Sequence, residues 1–545
     1  MTDEIKAGAA IVDITPPRGL GLGGYPRYPR YNTGAHDPLY ASCLYIESQC
    51  GETNIIDAID SGIKGSGISG CEEADSGAAK CVKTDSSFTE CVKTSSGFAE
   101  RVSSAGGAVA IIGVDLLFIS RKNALDIRRA AAALTGMDAN NIMICCSHSH
   151  SSPSCAGLVD EGAGGGVADS TMDGATDYPS SGGKSSQDRH ENNSLAGDGL
   201  YKQYLNELKI KLASLAASAQ RNAEECRAGF GRAMCGPELG IGGNRRDPAN
   251  GPNDPFVYVI GIKDMAGVIR CLLVNYAVHP TILHEDNTLC SADYPGYIRA
   301  RLRELYPHAI TVFTLGAAGD QSTRYFRRGQ SFVEAERFGR AIGGAAALAA
   351  DAAEYNSEPA AGQASQAVYA RQAEYNPKLR ELPKYDDAVA VYKEKQAAYE
   401  RLKSGGAPYA LVQDANVKRL GAEHVVKLAE TVKNGGALPL INDELPSEAS
   451  LFTIGDIKIL GLPGEVFAGV AISIRKRFAS EKLIVATVTN GCLPGYVYTA
   501  EEAEYGGYEV ETSMLDISAA TALERAAASM LDATVAEPPE NKAVT

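Results

Sequence analysis

Apolar runs of strand length alternate along this chain with longer segments whose apolar residues recur at helical spacing. The first run, Ala9 to Ile14, ends in a proline turn and a glycine-rich loop that closes at Tyr25, and the next strand is Ser42 to Glu47. Then come strand Ala108 to Val114, a helix near Arg121 to Leu134 and the apolar strand Ile142 to Cys146. A charged helix is expected over Leu200 to Glu225. Phe256 to Ile262 and Val268 to Tyr276 read as an antiparallel pair joined through Lys263 to Gly267. Strand Ile310 to Leu315 precedes a helix near Val333 to Ala352 whose Gly and Ala suit close packing. From Gln366 to Lys433, Ala, Glu, Lys, Tyr and Arg fall at helical spacing, broken by Pro377 and Pro383 and turned at Gly405 and Gly406, which predicts a helical hairpin on the surface. Ser450 to Leu462, a helix from Pro463, strand Leu483 to Thr489 and a helix over Ser518 to Ala533 complete the pattern. The fold class this predicts is α/β, a layered core around a mixed sheet with a helical hairpin inserted.

Two stretches, about 51–107 and 157–199, carry Ser, Gly, Asp and other polar residues in place of periodic apolar ones. They read as polar insertions. The first contains the decapeptides CEEADSGAAK, CVKTDSSFTE and CVKTSSGFAE, starting at Cys71, Cys81 and Cys91. These are too short and polar for a solenoid and fit a local duplication without catalytic duty. The expected division is therefore residues 1–355 as the first part of the core, 356–435 as the helical insertion, 436–536 as the second part, and 537–545 as a disordered tail.

Length and charge narrow the function. A chain of 545 residues buries a large core, and 52 basic against 67 acidic residues leave a net charge of -15. That balance disfavours nucleic acid and anionic membrane surfaces as main partners. The opening MTDEIKAG has no basic-then-apolar leader and no apolar run reaches the length of a membrane span, so the expected location is cytoplasmic, without stable membrane association. The thirteen cysteines lack CxxC spacing and are expected as reduced, mostly buried thiols, with Cys145 and Cys146 in the core.

The chemistry gathers at strand ends. His148 and His150 directly follow the strand ending at Cys146, and their spacing of two puts both imidazoles on one face of an extended backbone. His279 follows the apolar run CLLVNYAV, and Glu465 follows IKILGLPG at the expected first turn of a helix. In α/β folds functional groups collect at such positions. Two or three imidazoles and a carboxylate suit zinc with an open coordination position for water.

The order of ITPP, HSHSSP, NYAVHPT, AAGDQS, LPGE and GYVYTAEEAEYGGYE, spread from Ala7 to Met514, resembles the neutral/alkaline non-lysosomal ceramidases and their shorter bacterial relatives. The resemblance implies one zinc per chain held by His148, His279, Glu465 and Tyr496. The phenolate ligand is one that spacing alone does not suggest. It implies that His150 and Tyr508 contact the scissile carbonyl, and that Arg245 of GGNRRDP faces the site, with Arg246 as its rival. Ser322 of the Gly-Asp-x-Ser loop would bind substrate rather than attack it, and Gly24 would line the same cleft. The chain departs from the ceramide-cleaving pattern in reading HSHSSPS for HTHSGPG and GDQSTRY for GDxSPN, and it is expected to lack the immunoglobulin-like domain that follows the tyrosine motif there.

The expected function is thus a zinc-dependent hydrolase cleaving an N-acyl amide bond by attack of metal-bound water. Its substrate is expected to be a small, soluble and polar N-acyl compound, with Arg324, Arg327 and Arg328 suited to a polar or anionic group. Two alternatives remain open at the level of sequence. One is a barrel-type amidohydrolase, which also places HxH after a strand. The other is a ligand-binding scaffold without catalysis, which would follow if Tyr496 and Glu465 lay far from His148 and His279.

Overall fold

The computed structural model describes residues 5–25, 30–48, 107–155, 186–355, 367–436, 444–479 and 481–532, together with the strand backbones of 82–84, 87–93 and 99–103. The Cys71 repeat, Cys81 itself, most of the second polar insertion and the 537–545 tail lie outside the described residues.

Two mixed sheets face each other. The larger runs in spatial order Ile142–Cys146, Ala108–Val114, Tyr40–Ser48, Ile5–Asp13, Glu224–Met234, Phe256–Asp264, Ile269–Tyr276, Ile310–Leu315, with Glu354–Tyr355 added beside Glu224–Met234. Its two edge pairings are parallel and the inner ones antiparallel. The smaller sheet orders Lys482–Ala486, Ile457–Gly461, Ser447–Ile454, Val368–Tyr375 and then Ala99–Ser103, Ser87–Lys93 and Val82–Thr84. Between the sheets lies one apolar layer, with Leu44, Ile111, Met143, Ile260 and Leu273 on one side and Phe452, Ile459 and Ile484 on the other. Because strand side chains alternate in direction, the opposite faces need their own cover. Helices Arg121–Thr135 and Ser186–Arg221 cover one part of the large sheet, Tyr294–Leu305 and Phe332–Asp351 cover the rest, and Ala468–Arg477 with Ala519–Leu531 cover the small sheet. Burial of the strands on both faces is why they read as continuous apolar runs. Among the described residues no helix is long and apolar enough to cross a membrane, and every cysteine whose side chain is described is buried and outside any disulfide.

The α/β class, the mixed sheet and the hairpin, Tyr385–Ser404 with Tyr409–Lys433, are as the pattern predicts. Three details differ. The charged helix occupies Ser186–Arg221, and Glu224–Met234 is a strand. Its alternation is hidden by glycines that the packing demands, since a Cβ on Gly231 would lie 2.0 Å from the Ala349 carbonyl oxygen. Val368–Tyr375, inside the segment expected to be helical, pairs with Ser447–Ile454 along its whole length. The first polar insertion contributes strands to the small sheet.

One crossing ties both edges of the large sheet together. Past Ala486 the chain continues through Thr487 to Asn490. There the Thr487 amide donates to the Leu315 carbonyl, the Cys146 amide donates to Val488, and the Asn490 amide donates to Ile144. Asn490 Oδ1 accepts the Ile144 amide in return, at 2.9 Å. Val488 and Asn490 take φ of 54° and 55° to do this, a conformation costly for a β-branched residue such as valine.

A candidate metal centre

The strand ends that this crossing brings together carry the histidines. Ile142–Cys146 runs into His148, which adopts φ 63° and turns its ring inward. The His148 Nδ1 lies 3.0 Å from the Leu117 carbonyl oxygen. Ile269–Tyr276 runs into His279, whose Nδ1 lies 2.5 Å from Ala318 O and 3.1 Å from Gln321 O. Carbonyl oxygens only accept, so Nδ1 carries a proton in both rings, and in a neutral ring the Nε2 then presents a lone pair. Both Nε2 atoms point at the same carboxylate oxygen, Glu465 Oε2, at 3.4 Å from His148 and 3.0 Å from His279. Burial, and after it the charge of Arg245, lowers the His279 pKa to about 4, so its ring is neutral at pH 7. Lone pairs converging on a buried carboxylate repel unless a cation sits among them, and the His148 Nε2 accordingly has no hydrogen-bond partner.

His150 completes the cluster. Its ring stands 5.0 Å from that of His148 and 5.7 Å from that of His279, and one nitrogen from each of the three rings lies within 4.8 Å of the others. Burial pushes its pKa well below the ordinary histidine value, and neither ring nitrogen has a hydrogen-bond partner. Gly24 lies against this ring. It has φ 93°, and a Cβ there would come within 2.3 Å of His150 Nδ1, so only glycine fits. Tyr25 packs edge-on to His150 at 5.0 Å, and buried Arg30 donates to the Gly23 and His150 carbonyls, both at 2.6 Å, which fastens the glycine loop to the histidine.

Glu465 sits on a two-residue strand before helix Ala468–Arg477, not in the first turn of a helix from Pro463. Gly464 makes the sharp turn there with φ 68°. The strand Glu465–Val466 pairs in parallel with Tyr496–Val497, so Glu465 and Tyr496 are neighbours. Burial, and after it the Glu465 carboxylate, drives the Tyr496 phenol pKa well above its ordinary value, while Arg245 pulls the other way. Such a phenol ionises only if a stronger cation is supplied.

The two arginines separate cleanly. Arg245 is largely covered, its Nε donates to Glu509 Oε1 at 2.7 Å, its Nη2 donates to Gly319 O at 2.8 Å, and its guanidinium carbon stands 5.9 Å from the centre of the Tyr496 ring. Arg246 points elsewhere, donating to Glu502 O and Gly506 O and lying over Phe467. Tyr508 begins the short helix Tyr508–Thr512, close enough to Tyr496 for their charges to interact. Ser322 is buried on a strand paired with Gly243, and its Oγ accepts the Arg324 amide at 3.1 Å. It holds the loop that carries Asp320.

Two contributors sit inside the quoted motifs, Glu509 at the end of GYVYTAEEAEYGGYE and Asp320 in AAGDQS, without a role that the sequence alone gives them. Glu509 is one of many acids in its segment. Asp320 accepts from Asn244 Nδ2 and from the Ala468 amide, both at 2.8 Å, while its carbonyl accepts the Arg245 amide. Its partners come from segments distant in sequence, so only the folded chain reveals that it joins the Arg245 loop to the segment after Glu465.

Fold and site together define a layered α/β protein with a buried histidine cluster able to hold a metal ion. No protein-family model matches the chain, and no curated protein matches it. Among solved structures, the neutral ceramidase from Pseudomonas aeruginosa is similar over 98% of this chain and 76% of its own, with a TM-score of 0.61 at 15% identity. A ceramidase complexed with C2 is similar over 99% and 78%, with a TM-score of 0.60 at 14% identity. The fold of this chain is therefore that of the neutral ceramidases.

Proposed function

We propose that this protein is a zinc-dependent amidase that cleaves the linear amide bond of a small N-acyl substrate. The observation that carries this is the convergence of two Nδ1-protonated imidazoles on one oxygen of Glu465, a donor set that is incomplete without a cation. His148, His279, Glu465 and Tyr496 would hold the ion, a nitrogen and oxygen set that suits zinc. Bound there, zinc supplies a Lewis acid and a water that ionises near neutral pH.

The chain's own groups account for the remaining steps. His150 is neutral and free at both nitrogens, so it can donate one N–H to the carbonyl oxygen of a bound amide. The Tyr508 phenol would be the second donor, and the Arg245 charge, fixed by Glu509 and Gly319, favours negative charge developing beside Tyr496. Gly24 lets the glycine loop pack directly against the His150 ring, and Ser322 shapes the neighbouring loop. The products are a carboxylate and an amine.

The net charge of -15 and the departures at HSHSSPS and GDQSTRY favour a soluble, polar N-acyl compound over a membrane-embedded lipid, and a cytoplasmic location without stable membrane association. The two facing mixed sheets are not a closed parallel barrel, so the barrel-type amidohydrolase is set aside. The contact of Glu465 with both histidines, and the pairing of Tyr496 with Glu465, argue against a bare binding scaffold. The test is metal analysis of the purified protein followed by hydrolysis of an N-acyl panel with zinc added. Metal-dependent release of amine supports the reading; a zinc-loaded protein inert towards every amide in the panel overturns it.

A further inference from the structure

The helix Tyr508–Thr512 is gripped from two sides. On one side buried Glu509 forms its ion pair with the largely covered Arg245 at 2.7 Å. On the other, helix Tyr409–Lys433 of the hairpin lies so close that a Cβ on Gly421 would stand 3.3 Å from Tyr508 Cα and 2.5 Å from Glu511 Oε2. Arg380, which precedes the hairpin, donates to the Val510 carbonyl at 3.1 Å and also to Glu511 O. A helix of five residues has too few internal hydrogen bonds to hold its own place. Its position is set by these outside contacts.

We propose that Glu509 is a positioning residue that locks Arg245 and Tyr508 into one rigid unit, with the helical hairpin as the backstop that keeps this unit against the site. The inference rests on the hydrolase reading and gives the hairpin a task in it. Tyr508 and Glu509 are consecutive, so the side chain that fixes Arg245 also fixes the backbone bearing the phenol. Without the carboxylate, Arg245 would lose its ion-pair partner and keep the Gly319 carbonyl and Tyr496, and the helix would lose its attachment on the site side. Gly421 acts from behind. A larger residue there meets the Tyr508 backbone, which cannot swing aside as a side chain can.

The test compares Glu509→Ala, Glu509→Gln and Gly421→Val with wild type in the full-length, zinc-loaded protein, using N-hexanoyl amino acids and N-hexanoylsphingosine as probes. Glu509→Ala should lower kcat about 100-fold, the scale of a small misplacement of catalytic groups, with KM changed little and zinc content kept. Glu509→Gln retains an oxygen that can accept from Arg245 Nε and should recover most of the loss, and Gly421→Val should reproduce the kcat defect from the far side. Hydrogen exchange by mass spectrometry gives a readout independent of substrate: amides of residues 508–512 should exchange faster in Glu509→Ala and Gly421→Val than in wild type. Unchanged exchange, or unchanged kcat in Glu509→Ala against an active wild type, overturns the positioning role and leaves the hydrolase reading intact. An inactive wild type overturns both. Should Glu509→Ala fail to fold, Glu509→Gln and Gly421→Val decide by the same two measurements.

Discussion

Glu465 and Tyr496 are register partners in a parallel pair of two-residue strands. The backbone, more than either side chain, therefore brings the carboxylate and the phenol together, and it does so beside the oxygen on which the His148 and His279 nitrogens converge. A tyrosine is an unusual partner for a metal. Here its placement follows from main-chain pairing, which a substitution at position 496 would leave in place.

That geometry separates holding a metal from using it. Wild-type protein should bind about one zinc per chain, and a His148→Ala and Glu465→Ala double variant should bind none, as elemental mass spectrometry would show. His150→Ala should keep its zinc and lose roughly 100- to 1,000-fold in kcat, the range seen when an oxyanion donor is removed. Loss of zinc in His150→Ala would instead make all three histidines ligands.

Gly24→Ala is expected to be a catalytic lesion with little effect on the fold. The added methyl would overlap the His150 ring and strain a backbone at φ 93°. Activity should fall by more than about tenfold while circular dichroism stays native, since the core residues of the loop, Leu20 and Leu22, are untouched. Full activity would show that His150 is free to move away.

Arg245 and Arg246 should fail differently. Arg245→Ala strands the buried Glu509 carboxylate and should cost about 3–5 kcal/mol of stability as well as activity. Arg246→Ala removes two hydrogen bonds to the carbonyls of Glu502 and Gly506 and should cost about 1–3 kcal/mol. Chemical denaturation of both variants, read beside their zinc content, checks the order.

Stability should also fall as pH rises, through Glu444. Burial lifts this carboxyl from 4.5 to about 8, against the opposing pull of the Arg121 and Cys492 amides that it accepts. The folded state then holds the proton more tightly than the unfolded chain, so the contribution is whole below pH 4.5 and lost as pH climbs to about 8. The slope should approach at most about 1.4 kcal/mol per pH unit. Glu444→Gln should flatten it in denaturation curves taken from pH 5 to 8; an unchanged slope would assign the effect to another group.

Strands buried on both faces announce themselves, and the histidines that follow them are legible for that reason: Ile142–Cys146 before His148 and Ile269–Tyr276 before His279 need no partner to be recognised. Glu224–Met234 and Val368–Tyr375 were hidden because charged and small residues break their alternation, and long-range pairing decides their structure. The same limit applies to the site. His148 and His150 share a local pattern, whereas Glu509 meets Arg245 across 264 residues and looks like any surface acid until the chain is folded.

The crossing at Thr487–Asn490 has a consequence for the order in which the protein can become functional. Both edges of the large sheet, and with them the His148 and His279 loops, are fastened by a segment that leaves the ribosome after most of the chain, and Tyr496 and Tyr508 emerge later still. A nascent chain halted before this segment would lack these bonds between the sheet edges and keep only the direct contacts of the two loops, such as the His150 amide donating to the Pro280 carbonyl. The main-chain bonds that join the two edges thus cannot form until Thr487–Asn490 has emerged.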